Sequence, residues 1–180
     1  MKTNTTICSF RNRIVNGEFA LYEATQGDKQ FLEACIKDLE YLSDFTGWKD
    51  VIVDEAQTLL DHKDLPKNGI KENDRVYIIQ KNNIPIGYTK FYEGAFSLDK
   101  IFLGFFGIMK EYQREGNGAK AYTILEEEIK NCGYKCIRLN VGTKNIPAMI
   151  FWIKNGYTNI VRYYPYENGF LDINLEKEIT

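Results

Sequence analysis

Between Lys100 and Val141 the chain spells strand, glycine loop, helix and strand, and this order constrains the fold more than any other feature. "KIFLGFFGIM", Lys100 to Met109, is apolar on both faces, the pattern of a strand covered on both sides. After the glycine pair Gly116 and Gly118, Ala121, Ile124, Leu125 and Ile129 recur at helical spacing to about Asn131, and "CIRLNV" returns to strand character. A strand, a helix and a strand in so short a span require a right-handed crossover and a parallel pair. Hairpin signals flank this unit: "RVYIIQKNNIPIGYTKFYEG", turning at Lys81-Asn82-Asn83, and the closing "YTNIVRYYPYENGFLDINLEKEI". They require antiparallel pairs. The fold class is therefore α/β of the α+β kind: a central mixed, mostly antiparallel sheet of six to seven strands flanked by about four helices.

The remaining elements fit this frame. "EFALYEAT" reads as a strand, and "DKQFLEACIKDLEYLSDFTG" as a helix with Asp28 at its start and Gly47 at its end. A shorter helix follows Asp54, which has capping-box spacing to Gln57, and another runs through "NIPAMIFWIKNG". Pro85 predicts a bulge or a free edge in its strand. No repeat or second composition regime divides the chain, so one domain is expected over residues 1–180, with 1–17 a polar N-terminal arm.

Composition excludes several function classes. Twenty-three Lys and Arg residues against 25 Asp and Glu give a net charge of −2, so nothing draws the whole surface to nucleic acid or to an anionic membrane. Cys8, Cys35, Cys132 and Cys136 are scattered, and the single His62 cannot complete a metal cluster with them; no metal is expected. Scattered thiols fit a reducing compartment. The first residues lack an apolar core of signal-peptide length, and no stretch has the length of a membrane span. A cytoplasmic monomer or homodimer is expected.

A buried strand that feeds a helix through a glycine loop presents unpaired N–H donors where the helix dipole adds positive charge. Phosphate is the natural occupant, with Gly116 and Gly118 leaving room and Arg114 and Lys120 near in sequence; the plainer reading is a tight turn. The loop lacks the G-K-[ST] ending of a P-loop and has only two of the three dinucleotide glycines.

"Tyr112-Gln113-Arg114-Glu115-Gly116-Asn117-Gly118-Ala119" resembles the [QR]-x-x-G-x-[GA] loop of the GNAT acetyltransferase superfamily. The stretch from Asn145 through Ala148, Phe151 and Gly156 to Tyr157 resembles that family's N-x-x-A helix and the strand after it. The likeness covers about Arg75 to Tyr157. It implies a GNAT-like fold and an acyl-coenzyme A site, with acetyl-CoA as co-substrate. The pyrophosphate would rest on the backbone of Gln113, Arg114, Glu115, Gly116, Asn117, Gly118 and Ala119, and the pantetheine arm would pair with Ile108, Met109 and Lys110. Asn145, Phe151 and Lys154 would touch the same ligand; Asn145 reads equally as a helix N-cap.

Two positions depart from the family pattern. Trp152 stands where a thiolate-protonating tyrosine is common, seven residues after Asn145, and Glu115 stands where Lys or Arg is common. An ammonium substrate must lose a proton before it attacks a thioester, and the buried strand offers no carboxylate. Glu93 is the first candidate base; Tyr164, with Tyr163 and Tyr166 nearby, is the candidate acid or a wall of the acceptor pocket, and transfer by positioning alone with solvent as the acid is the other route. The expected activity is transfer of acetyl from acetyl-CoA to a primary amine of a small molecule by direct attack. The alternative is an inactive acyl-CoA-binding sensor or interaction module.

Overall fold

Apolar runs rich in β-branched and aromatic residues generate the centre of the sheet in the computed structural model, which describes residues 9–45, 54–166 and 169–179. Strands β1 (Arg13–Asn16) and β2 (Phe19–Glu23) precede α1 (Lys29–Leu39) and α2 (Glu55–Leu60). Strands β3 (Asp74–Lys81), β4 (Ile84–Glu93) and β5 (Lys100–Ile108) lead to α3 (Asn117–Asn131). The chain ends with β6 (Cys136–Gly142), α4 (Ile146–Lys154), β7 (Asn159–Pro165) and β8 (Leu171–Glu178). The sheet order is β1-β2-β3-β4-β5-β6-β8-β7. Among the described strands only β5 and β6 run parallel.

The described sheet has eight strands rather than six to seven. The additional one is β1, inside the segment read as a polar arm: it folds back on β2 through Gly17, whose φ of 59° suits a turn. A four-residue edge strand that buries only Ile14 leaves almost no periodic signal. The first helix also differs: regular α-helix ends at Leu39 and continues as a 3-10 segment, Glu40–Phe45. Gly47, read as its end, lies outside the described residues. Asp28 does not cap α1 with its side chain; its carboxylate turns back to the Thr25 amide and hydroxyl, both at 2.8 Å.

Local signals predicted several joints. Asn82 and Asn83, with φ of 50° and 64°, make the two-residue turn between β3 and β4, a conformation asparagine tolerates. Asp54 accepts the Gln57 amide at the start of α2. The register between β3 and β4 shifts opposite Pro85, between Ile79 and Gln80, the bulge expected where a ladder donor is missing.

Two cores cover the sheet. On one face α3 and α4 bury Leu125, Ile129 and Trp152 against Ile101, Leu103, Leu139 and Val141. On the other, α1 and α2 bury Leu32, Leu39 and Leu59 against Val76, Ile78 and Tyr88. Each fully buried aliphatic side chain contributes about 1.5–3 kcal/mol of transfer free energy. This double cover is why β5 is apolar on both faces.

Candidate functional site

The central opening arises because β5 and β6 stop pairing before either strand ends. Their last partners are Leu103 and Leu139, yet β5 continues to Ile108 and β6 to Gly142. A bulge begins the divergence: against β4, Lys90 pairs with Phe105 and Phe91 with Leu103, so Gly104 has no partner. Beyond it lies the splay, where the two strands no longer pair with each other.

The glycine loop stands at the far end of β5. Arg114 and Gly116 are both left-handed, with φ of 64° and 79°, and Gly116 caps α3 with no side-chain hydrogen bond. The first N–H groups of α3 thus have neither an intrahelical partner nor a side-chain cap. The loop is braced from below: Gln113 donates to the Ile108 carbonyl at 2.6 Å, and the buried Asn117 donates to the Tyr112 carbonyl at 2.8 Å. Lys81 donates to Asn117 Oδ1 at 2.9 Å. The Glu115 carboxylate turns back toward Asn117 Nδ2, at 3.3 Å. Phe151 closes the side, since a Cβ on Gly118 would stand 3.4 Å from its ring. These features suit a phosphate group: several backbone donors, a helix N-terminus and no carboxylate from the helix's own first turn.

The other sequence-predicted residues fall in different places. Gln113, Arg114, Glu115, Gly116, Asn117, Gly118 and Ala119 form the loop, and Ile108 ends the strand beside it. Met109 and Lys110 have their amides engaged, by the Ile86 carbonyl and the Asp38 carboxylate, both at 2.8 Å. By strand alternation Ile108 turns its amide groups away from β4, toward the splay. Asn145 caps α4, its Oδ1 accepting the Ala148 amide at 3.1 Å. Lys154 is exposed at the end of α4. Trp152 is buried among Phe106, Tyr122 and Tyr157, with centroids 5.3–5.9 Å away.

Glu93 is not brought to the splay. It pairs with Ile101, whereas Gly87 pairs with Ile108, so six residues of β4 separate it from the loop end, roughly 20 Å of strand. Its carboxylate takes an ion pair from Arg75 at 2.8 Å and a hydrogen bond from the Tyr134 hydroxyl. Glu93 lines a separate cavity of about 350 Å³ together with Glu72, Asn73 and Arg75. The base predicted on β4 is thus at the wrong end of its strand.

Tyr164 lies nearer, in a polar cluster missed in sequence. Cross-strand register aligns Asn140 with Asn174 and Gly142 with Asp172, while β7 sets Tyr164 beside Asp172. The Tyr164 hydroxyl donates to Asn174 Oδ1 at 3.4 Å, and Asn174 donates to Asn140 Oδ1 at 3.0 Å. Asn140 and the Tyr166 hydroxyl both donate to Asp172 Oδ2, at 2.9 and 3.1 Å. Asp172 and Asn174 are buried, although "LDINLE" alternates like a strand with a wet face. Leu139 and Val141 point into the α3–α4 core, so the cluster occupies the opposite face, where the Phe45 carbonyl of the segment after α1 reaches Gly142.

Among the described residues no group of His, Cys, Asp and Glu could hold a metal ion, and no helix is long and apolar enough to cross a membrane. Residues 38–157 match a family model described as the Acetyltransferase (GNAT) family. No curated protein matches in sequence. Among solved structures, a probable GNAT-family acetyltransferase from Chromobacterium violaceum superposes with a TM-score of 0.75 at 8% identity, over 99% of this chain and 92% of that one. An acetyltransferase from Thermus thermophilus gives 0.69 at 16% identity, over 93% and 99%. Spermidine N-acetyltransferase from Vibrio cholerae, solved with CoA and spermine, gives 0.68 at 14% identity, over 91% and 96%. At these identities the superpositions show a shared fold.

Proposed function

Since the chain belongs to the GNAT acetyltransferase family and is an acyltransferase, we propose that it moves acetyl from acetyl-CoA to a primary amine of a small molecule. The observation that carries this reading is the pairing of two features: the uncapped, glycine-opened start of α3 and the splay between β5 and β6.

Bound acetyl-CoA supplies an activated acyl thioester. The residues present fit it. The backbone of Arg114 to Ala119 offers donors to a pyrophosphate, braced by Gln113 and Asn117. Ile108 offers its N–H toward the splay for the carbonyl of an extended, amide-bearing arm, its own carbonyl being taken by Gln113, in the manner of an added strand. Phe151 and Ile108 wall the start of α3 with apolar surface. Holding thioester and amine together in one cleft removes much of the entropic barrier to their reaction. The Trp152 indole N–H is far too weak an acid to protonate a departing thiolate, so Tyr164 or solvent fills that role. A cationic small amine also fits the acidic balance of the chain and the polar cluster at the end of β6. The relative from Vibrio cholerae, solved with CoA and spermine, is consistent with that substrate class.

The test is release of free CoA from acetyl-CoA across a panel of small amines and peptides, with Gly116→Glu as control. Release that needs a small amine and disappears in the control supports the reading. Release with peptides alone overturns the small-molecule assignment, and CoA binding without release from any acceptor overturns transfer.

A further inference from the structure

Asp172 is only 2% exposed, and its two carboxylate oxygens have opposite surroundings. Oδ2 is held by Asn140 at 2.9 Å and by the Tyr166 hydroxyl at 3.1 Å. Oδ1 is equally buried and accepts no hydrogen bond among the described residues. Its direction can be read from Gly142, the cross-strand partner of Asp172: a Cβ placed there would stand 3.3 Å from Oδ1 and 2.3 Å from the Phe45 carbonyl. Two acceptor oxygens therefore converge on the same bare stretch of backbone. The nearby cations are aimed elsewhere, Arg162 over the Tyr164 ring and Lys144 over the Phe170 ring.

A buried carboxylate is costly unless its oxygens are satisfied. Here the network of Tyr164, Asn174, Asn140 and Tyr166 fixes the Asp172 side chain by one oxygen and leaves the other for a donor from outside the described chain. The location fits the chemistry. Asn140 is the first residue of β6 past its last pairing with β5, and Gly142 is two residues further along the widening splay. The cluster lies on the α1 side of the sheet, away from the core built by α3 and α4.

We propose that Asp172 recognises the acceptor: Oδ1, beside the Phe45 carbonyl, receives the N–H donors of a substrate ammonium group at the mouth of the splay. This inference rests on the amine-acetyltransferase reading. An ammonium is the group that satisfies a carboxylate and a carbonyl together, through charge-assisted bonds that a neutral hydroxyl forms weakly and a quaternary ammonium cannot form.

The test is binding, followed by nuclear magnetic resonance on the CoA-loaded protein, of three probes of one shape: n-butylamine, n-butanol and N,N,N-trimethylbutylammonium. Wild-type protein is expected to favour n-butylamine by about tenfold or more over both others, and Asp172→Asn to lose that preference with CoA affinity unchanged. Equal binding of the three probes to wild-type protein, or a preference that survives in Asp172→Asn, overturns the proposal. If the variant fails to fold, the wild-type titration decides: the Asp172 and Gly142 amide resonances must shift with n-butylamine and not with n-butanol, and their failure to do so overturns the proposal. Amine preference that depends on Asp172 in a protein that transfers no acetyl upholds the recognition site and instead refutes the transferase reading.

Discussion

The two glycines of the loop, two residues apart, should respond to alanine with opposite signs. Gly116 has a φ of 79° and a Cβ there would meet nothing within 4 Å, so the cost of Gly116→Ala is conformational alone. Holding a side-chain-bearing residue in the left-handed region costs about 1–2 kcal/mol. In a chain of this size that lowers the melting temperature by roughly 2–8 °C. Gly118 lies in the first turn of α3 with ordinary backbone angles, and its Cβ would stand 3.4 Å from Phe151 and 3.7 Å from Ile108, normal contact distances. Replacing a helical glycine there gains up to about 1 kcal/mol, a rise of up to roughly 4 °C. Urea unfolding at constant m-value, with thermal melts, measures both changes. If the alanine at 116 instead lets the loop relax out of the left-handed shape, the penalty moves from stability to CoA affinity, a loss of about 5- to 30-fold. A Gly116→Ala protein with wild-type stability and wild-type CoA affinity would refute the argument.

Other expectations follow from packing and charge. Trp152→Ala should destabilise by about 3–5 kcal/mol, because the indole fills the space among Phe106, Tyr122 and Tyr157; a loss below 1 kcal/mol in urea unfolding would contradict that packing. Burial works to raise the Glu176 carboxyl, but hydrogen bonds from Lys100 and Arg138 outweigh it and hold the group below its ordinary 4.5; Glu128 is likewise held down by Arg11 against its burial. Both carboxyls therefore add stability that is complete above 4.5 and lost as pH falls through their lower folded values, so an acid titration of the urea midpoint should be shallower in Glu176→Gln. Glu93→Gln should act on stability through its ion pair with Arg75 rather than on turnover, and a fall in kcat/KM at unchanged stability would return Glu93 to the reaction.

Local patterns carried much of this protein's description. The helical stripe Ala121, Ile124, Leu125 and Ile129 was legible because burial of a helix face is set by residues three and four apart. The Asn82-Asn83 turn, the Pro85 bulge, the Asp54 cap and the Asn145 cap were legible because each depends on a residue's own backbone or on a neighbour within three positions. The glycine loop belongs to the same class: its shape is a property of Arg114 and Gly116 themselves. Strand β1 escaped notice because one buried side chain, Ile14, makes no period.

What sequence could not supply was distance across the sheet. Glu93 looked available in a hairpin strand, and only the register of β4 on β5 places it at the end remote from the loop. Asp172, Asn174 and Glu176 alternate with apolar residues as a solvent-facing row would, yet pairing with β6, some thirty positions earlier, buries the first two against Asn140 and Gly142. Asp172 has an oxygen without a hydrogen bond among the described residues because three strands and a segment after α1 meet there. Sequence thus determined which of the longer segments become strands and helices and where the glycine loop falls, since those follow from local backbone preference and apolar spacing. Tertiary structure alone decided which polar groups gather at the end of β6, because register between strands far apart in the chain is fixed by the packing of both cores together.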